Sequence, residues 1–347
     1  MQSAAKLRPH VRRLRTRGSA RTMLTDSVRE ARLRGSARRT DLQLARAGRG
    51  SGPVLVGPFV GEIGFELLYW IPLLRGLLAH HGIAPERVTA ISRGGAEPWY
   101  SDIAGGYVDV LDLFSPEDYA RRLDERRASI GDSKQLTSTA LDVELLAGAR
   151  ERIGESPAAV VHPSLLFTRL RYFWIGERDP AKTLARLAFE RLAVAAPEPD
   201  LGLPEEYVAV KVYFSDCFPD TPDNHRFARE RIEQLAARTE VVLLPGAFAF
   251  DDHGAPPLAA VEGVHRLEGR LPARTNLAAQ TRIIGGATAL HATYGGFSYL
   301  APLLGVPATV FYSEENFNPI HLDSLRAMGE RLGSPEYRVE QTESAPC

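Results

Sequence analysis

Glu62, set between two glycines in the run Gly61-Glu62-Ile63-Gly64, is the first residue of the chain whose surroundings suit chemistry. Three apolar residues, Val54-Leu55-Val56, precede the loop and fit a buried strand; the run "FELLYWIPLLRGLLAHHG" follows it and fits a helix. An acid on such a strand-to-helix turn can take the proton of a bound hydroxyl. Gly61 and Gly64 let the backbone approach a ligand closely, and the helix start offers unpaired N–H groups to an anion. Glu66 falls in the first helical turn, where a carboxylate also complements the helix dipole. Gly57, Gly61 and Gly64 do not have the spacing of the G-x-G-x-x-G dinucleotide fingerprint.

Three further loops carry reactive or ligand-binding residue types. In "KVYFSDC", Lys211 lies within an apolar strand and needs a partner, a role a phosphate would fill, and Ser215 follows at the strand end. Cys217 has no obvious cation or helix start beside it to lower its pKa, so a reactive thiol is not expected. In "HATYGGFS", the residues Thr293, Tyr294, Gly295, Gly296, Phe297 and Ser298 bring hydroxyls and two adjacent glycines to a helix start. Exposed N–H groups of that kind suit a diphosphate. In "FYSEENFN", Glu314, Glu315, Asn316 and Asn318 suit the hydroxyls of a sugar. Asp251–His253 sit in a Phe/Gly/Pro loop and His80-His81 at a helix end, and no Asp-x-Asp triplet occurs, so no metal is expected.

The elements that must position these loops alternate. Strands are expected at "VLVG", "RVTAIS", "YVDVLDLF" and "AAVVHPSLLF", the last running into His162-Pro163-Ser164; helices are expected at "TALDVELLAGARERIG" and "PAKTLARLAFERLAVA". After "APEPDLGLPE", with Pro197, Pro199, Pro204 and Gly202, the pattern restarts. Strands "YVAVKVYF", "EVVLLPG", "VHRLEG", "TALHA" and "PATVFY" then alternate with helices "DNHRFARERIEQLAART", "TNLAAQTRIIGGA" and "FSYLAPLLG". Such alternation implies βαβ units and parallel sheets. The expected organisation is a basic, flexible tail over 1–50 and two α/β Rossmann-like domains over 51–200 and 201–347.

Charge sets the tail apart. Of 347 residues with a net charge of −1, the first 50 hold 14 Lys and Arg against 3 Asp and Glu, and the remainder 28 against 40. A helical piece is expected near Thr25–Arg34, within an arm otherwise solvated. Attraction to an anionic membrane face is worth about 1 kcal/mol per basic residue. The segment has no aromatic residue on which bases would stack, and no nucleic acid is expected as a partner. The start is Arg-rich and acid-poor, as transit peptides are, but an Ala/Arg-rich bacterial composition accounts for it equally and is preferred. It lacks the apolar core of a secretory signal. No run approaches the roughly 18–20 apolar residues of a membrane span. Two cysteines, Cys217 and Cys347, exclude a disulfide framework. A cytoplasmic protein is expected, with at most peripheral contact at the inner face of the membrane.

At these residues the chain resembles the GT-B glycosyltransferases, in which two Rossmann-like domains face each other across a cleft. The stretch Asn276–His321 is similar in layout to the nucleotide-sugar half of the bacterial heptosyltransferases, with "TYGGFSY" where those enzymes carry an Asp-Thr-Gly signature followed by His. The resemblance spans residues 53–325. It implies metal-independent transfer of a sugar from a nucleotide-sugar donor to an acceptor hydroxyl, with no cofactor and Glu62 as base; inversion is expected because no second carboxylate obviously pairs with Glu62. From the residues themselves, donor binding is expected of Lys211, Ser215, Thr293, Tyr294, Gly295, Gly296, Phe297, Ser298, Glu315 and Asn316, and an acceptor-side loop of Gly61, Gly64, Glu66 and His162. Saccharide and lipid-linked acceptors, as in polysaccharide, glycolipid or envelope synthesis, fit this scheme. A sugar-nucleotide epimerase, a pyruvyl-type polysaccharide-modifying transferase, and a non-catalytic α/β binding protein remain the alternatives.

Overall fold

Two all-parallel sheets carry the chain. A computed structural model describes residues 35–130, 134–246 and 261–342. The first sheet contains β1 (Val54–Val56), β2 (Val88–Ser92), β3 (Gly106–Asp109) and β4 (Ala159–Val161) in the order β3-β2-β1-β4. The second contains β5 (Val208–Lys211), β6 (Val241–Leu243), β7 (Val264–Arg266), β8 (Ala289–Thr293), β9 (Ala308–Tyr312) and β10 (Tyr337–Gln341) in the order β10-β9-β8-β5-β6-β7. Each sheet winds outward from its first strand and then returns to that strand's other side. This leaves a switch point between β1 and β4 and another between β5 and β8, where ligands of open parallel sheets bind. In register, Val54 pairs with Val88 on one side and Ala159 on the other; Lys211 pairs with Ala292. The two-domain α/β architecture is therefore the expected one.

Buried apolar side chains of both halves form one cluster, from Leu68 and Trp70 to Leu277 and Leu300. Polar links fasten the same seam. Trp99 Nε1 donates to Thr281 Oγ1 at 2.9 Å, and Arg274 reaches from the second half to Asp112 and Asp109 of the first.

Local structure departs from the sequence expectations at four places. Residues 35–47 are helical and bury Leu44 and Ala47, so the tail's last part is docked: Asp41 pairs with Arg169, and the Ala47 carbonyl accepts from Arg87 at 2.7 Å. The expected Thr25–Arg34 helix and Asp251–His253 lie outside the described residues. The expected helix from Pro180 stops at Leu184. Tertiary hydrogen bonds win there, since Ala188 N–H donates to Pro72 O and Leu192 N–H to Leu303 O, stitching an extended crossover to both halves. The "AAVVHPSLLF" strand ends at Val161, and a helix runs Ser164–Trp174. The fourth is a helix at Pro116–Ile130 that the sequence reading lacked.

Candidate active site

The loop after β1 is held from behind. Val60 N–H donates to Gln135 Oε1 at 2.9 Å, and Gln135 Nε2 donates to Pro58 O and Asp142 Oδ1. Arg93 donates to Gly61 O at 2.5 Å and to Glu66 Oε2 at 3.0 Å. Glu66 is fully buried and also accepts from Ser92 and Tyr100, each at 2.6 Å. Burial raises its pKa, opposed chiefly by the Arg93 charge. The sequence placed Glu66 beside the acceptor; the structure places it behind the loop, anchoring Arg93. A π-helical turn at Glu66–Trp70, between α-helical Ile63–Phe65 and Ile71–His80, follows.

Glu62 stands at the N-cap position with extended backbone, φ −67° and ψ 138°, and its carbonyl accepts from Phe65 and Glu66 N–H. Its side chain does not cap the helix; it is exposed on the wall of a cavity of about 460 Å³. The opposite wall is the loop after β8, where Tyr294, Gly295, Gly296 and Phe297 face the same space. The two walls touch at Gly296, where an added Cβ would lie 2.7 Å from Gly64 N; within the second half, one at Gly295 would lie 2.0 Å from the Tyr213 hydroxyl. Contact between the halves is thus a reason for glycine at 296, and the Tyr213 hydroxyl a reason for glycine at 295.

Lys211 and Ser215 also line the cavity. The strand lysine has protein partners, Gln280 Oε1 at 2.9 Å, the Pro245 carbonyl, and the Phe297 ring with its centroid 4.3 Å from Nζ. Asn316 faces the cavity, whereas Glu315 is exposed and is not part of its wall. Asn318 caps the next helix through Ile320 N–H and donates to Trp174 O. Thr293 is buried and accepts from Tyr213 N–H at 3.2 Å; Ser298 is buried and donates to Gly295 O at 2.7 Å. These two support the loop from beneath. His162 bonds Ser164, with Nε2 3.5 Å from Asp142 Oδ1, in the network that braces Gln135, and is not part of the cavity wall. Cys217 faces the cavity, and burial pushes its thiol pKa up.

Sequence reasoning missed several cavity residues. Arg126 and Arg127 come from the Pro116–Ile130 helix, Tyr213 from the loop after β5, Tyr69 from the helix after Glu62, and His321 from the helix Pro319–Leu332. In the charged run "PEDYARRLDERRASI", Tyr119, Leu123 and Arg126 are the buried residues, four and then three apart, and that spacing was the available signal. The cavity therefore gathers three cations, Arg126, Arg127 and Lys211, and two acids, Glu62 and Asp216. It can hold an anion beside the exposed Glu62 carboxylate. Among the described residues no group of three or more His, Cys, Asp or Glu is placed to hold a metal, and no helix is long and apolar enough to cross a membrane.

No family model matches the chain, and no curated protein matches it by sequence. Among solved structures it is similar to an E. coli ADP-heptose LPS heptosyltransferase II, at 13% identity, TM-score 0.46, over 85% of this chain and 91% of that one. An E. coli heptosyltransferase with ADP is similar at 16% identity, TM-score 0.40, over 84% and 93%. A UDP-GlcNAc 2-epimerase from Methanocaldococcus jannaschii is similar at 8% identity, TM-score 0.32, over 80% and 91%. Likenesses this distant carry no argument about what the chain does.

Proposed function

We propose that the chain is a glycosyltransferase moving a sugar from a nucleotide-sugar donor to an acceptor hydroxyl. The observation that carries this reading is the shared cavity, where the exposed Glu62 of the first sheet's switch-point loop stands across from the Tyr294–Phe297 loop of the second. In the proposed step, the acceptor oxygen forms a bond to the anomeric carbon as the bond to the diphosphate breaks. The electron pair leaves with the nucleoside diphosphate, and the acceptor proton passes to Glu62. In-line displacement inverts the anomeric centre. Arg126, Arg127 and Lys211 offer positive charge to the departing diphosphate, with backbone N–H groups near Gly296, so metal independence is part of the proposal. A saccharide or lipid-linked acceptor, and a cytoplasmic place with weak membrane contact through the basic first residues, belong to the same proposal.

The test is nucleoside diphosphate release from sugar nucleotides, with and without saccharide and lipid-extract acceptors, in chelator. Glu62→Gln should lower turnover about 100- to 10,000-fold while leaving donor affinity intact. Undiminished turnover in that variant, or rearrangement of the sugar nucleotide without any acceptor, would remove the assignment.

A further inference from the structure

Ser324, Tyr69 and His321 form a hydrogen-bond chain at the cavity whose protons can be counted. Ser324 Oγ lies 2.6 Å from Ile320 O, and a carbonyl only accepts, so the Ser324 proton is spent there. Tyr69 OH is 3.1 Å from Ser324 Oγ, which can then only accept, so the phenol donates to it. Tyr69 OH also lies 2.7 Å from His321 Nδ1. With the phenol proton committed, Nδ1 must carry a hydrogen and donate. A neutral ring protonated at Nδ1 has a bare lone pair at Nε2. Among the described residues nothing bonds Nε2, and the half-buried ring lines the cavity.

We propose that His321 is a specificity-determining residue, accepting a hydrogen bond through Nε2 from a hydroxyl of the transferred sugar; this rests on the glycosyl-transfer reading above. The sugar is favoured over the nucleotide because the His321 ring packs edge-on to Phe65, with centroids 5.2 Å apart, and Phe65 shares a helical turn with Glu62. His321 therefore packs on the turn that carries the acid taking the acceptor's proton. Asn316 and Phe317, from the loop before its helix, share that wall. Burial, and then the charge of Lys134, pull the ring's pKa down to about 4. The ring stays an acceptor at neutral pH and is too weak a base to replace Glu62.

The experiment has two arms on the full chain. In the first, nitrogen spectra of ligand-free protein with 15N-labelled histidine are recorded at pH 7; the His321 ring is identified among the nine by its loss in His321→Asn. A neutral Nδ1–H ring is expected, and an Nε2–H ring or an imidazolium overturns the proposal. In the second, the sugar nucleotide of an ADP-, UDP- and GDP-hexose panel that stabilises the protein most is titrated calorimetrically, beside its bare nucleoside diphosphate. His321→Asn should weaken the sugar nucleotide roughly fivefold to tenfold, the size of one net hydrogen bond, and leave the bare diphosphate unchanged. His321→Gln, whose side-chain carbonyl can stand near the Nε2 position, should recover part of the loss. Equal losses for the two ligands, or none, overturn the sugar contact. A wild-type chain that binds nothing in the panel removes the functional reading and the sugar contact with it, while the tautomer is read independently.

Discussion

Glu62 and Glu66 lie four residues apart and meet opposite surroundings. Glu62 is exposed to the cavity, whereas Glu66 is wholly buried against Arg93, itself 3% exposed. Removing one partner of such a pair leaves the other charge buried and uncompensated. Glu66→Ala should therefore destabilise the fold by about 3–5 kcal/mol, read from urea unfolding, whereas Glu62→Gln should leave stability within about 0.5 kcal/mol of wild type. Equal losses would contradict this division of labour. The sequence made Glu62 legible through its flanking glycines. It left Glu66 ambiguous because its partner Arg93 lies 27 positions away, and a local pattern carries no trace of such a pairing. His321 went unread for a similar reason: its partner Tyr69 is 252 positions distant.

At the scale of elements, the loops after β1 and β8 meet backbone to backbone. Gly296→Ala would push a methyl to within 2.7 Å of Gly64 N, where no flexible side chain can yield. The expected cost is about 1–3 kcal/mol, together with loss of turnover as the cavity walls separate. Wild-type melting and turnover in this variant would show that the contact is slack. Strand-then-loop segments were the most legible elements, because Gly and Pro punctuate short apolar runs at "VLVGP" and "HATYGG". The Pro116–Ile130 helix hid in a charged run that buries little, and the segment after Leu184 has helical composition but spends its N–H groups on the two halves it joins.

Across the whole molecule, the sheets share one winding rule; alternation along the sequence anticipated their parallel strands but not the strand order. How closely the halves pack was not, since the seam depends on pairs such as Arg274 with Asp112 and Trp99 with Thr281. Two histidines tie stability to pH. Burial pulls the pKa of both His291 and His321 down to about 4, aided by the charges of Arg231 and Lys134 respectively. Their contribution is fully present above the unfolded value of about 6.5 and is lost as pH falls towards 4, because the unfolded chain takes up the protons first. Glu66, raised by burial, works in the opposite sense over its own range. His321→Asn has no ring to titrate there and should lose less stability than wild type between pH 6.5 and 4 in matched unfolding series. An identical pH profile would contradict the assigned shift.

The most direct measurement is a thermal-shift series of ADP, UDP, GDP and their hexose esters, run with magnesium and again with chelator. A ligand held in the native cavity raises the melting temperature by mass action. One nucleotide class should do so equally in either condition, with its sugar ester raising it further. No rise with any of them on folded protein, or a rise abolished by chelator, would contradict a metal-independent nucleotide-sugar site between the two sheets.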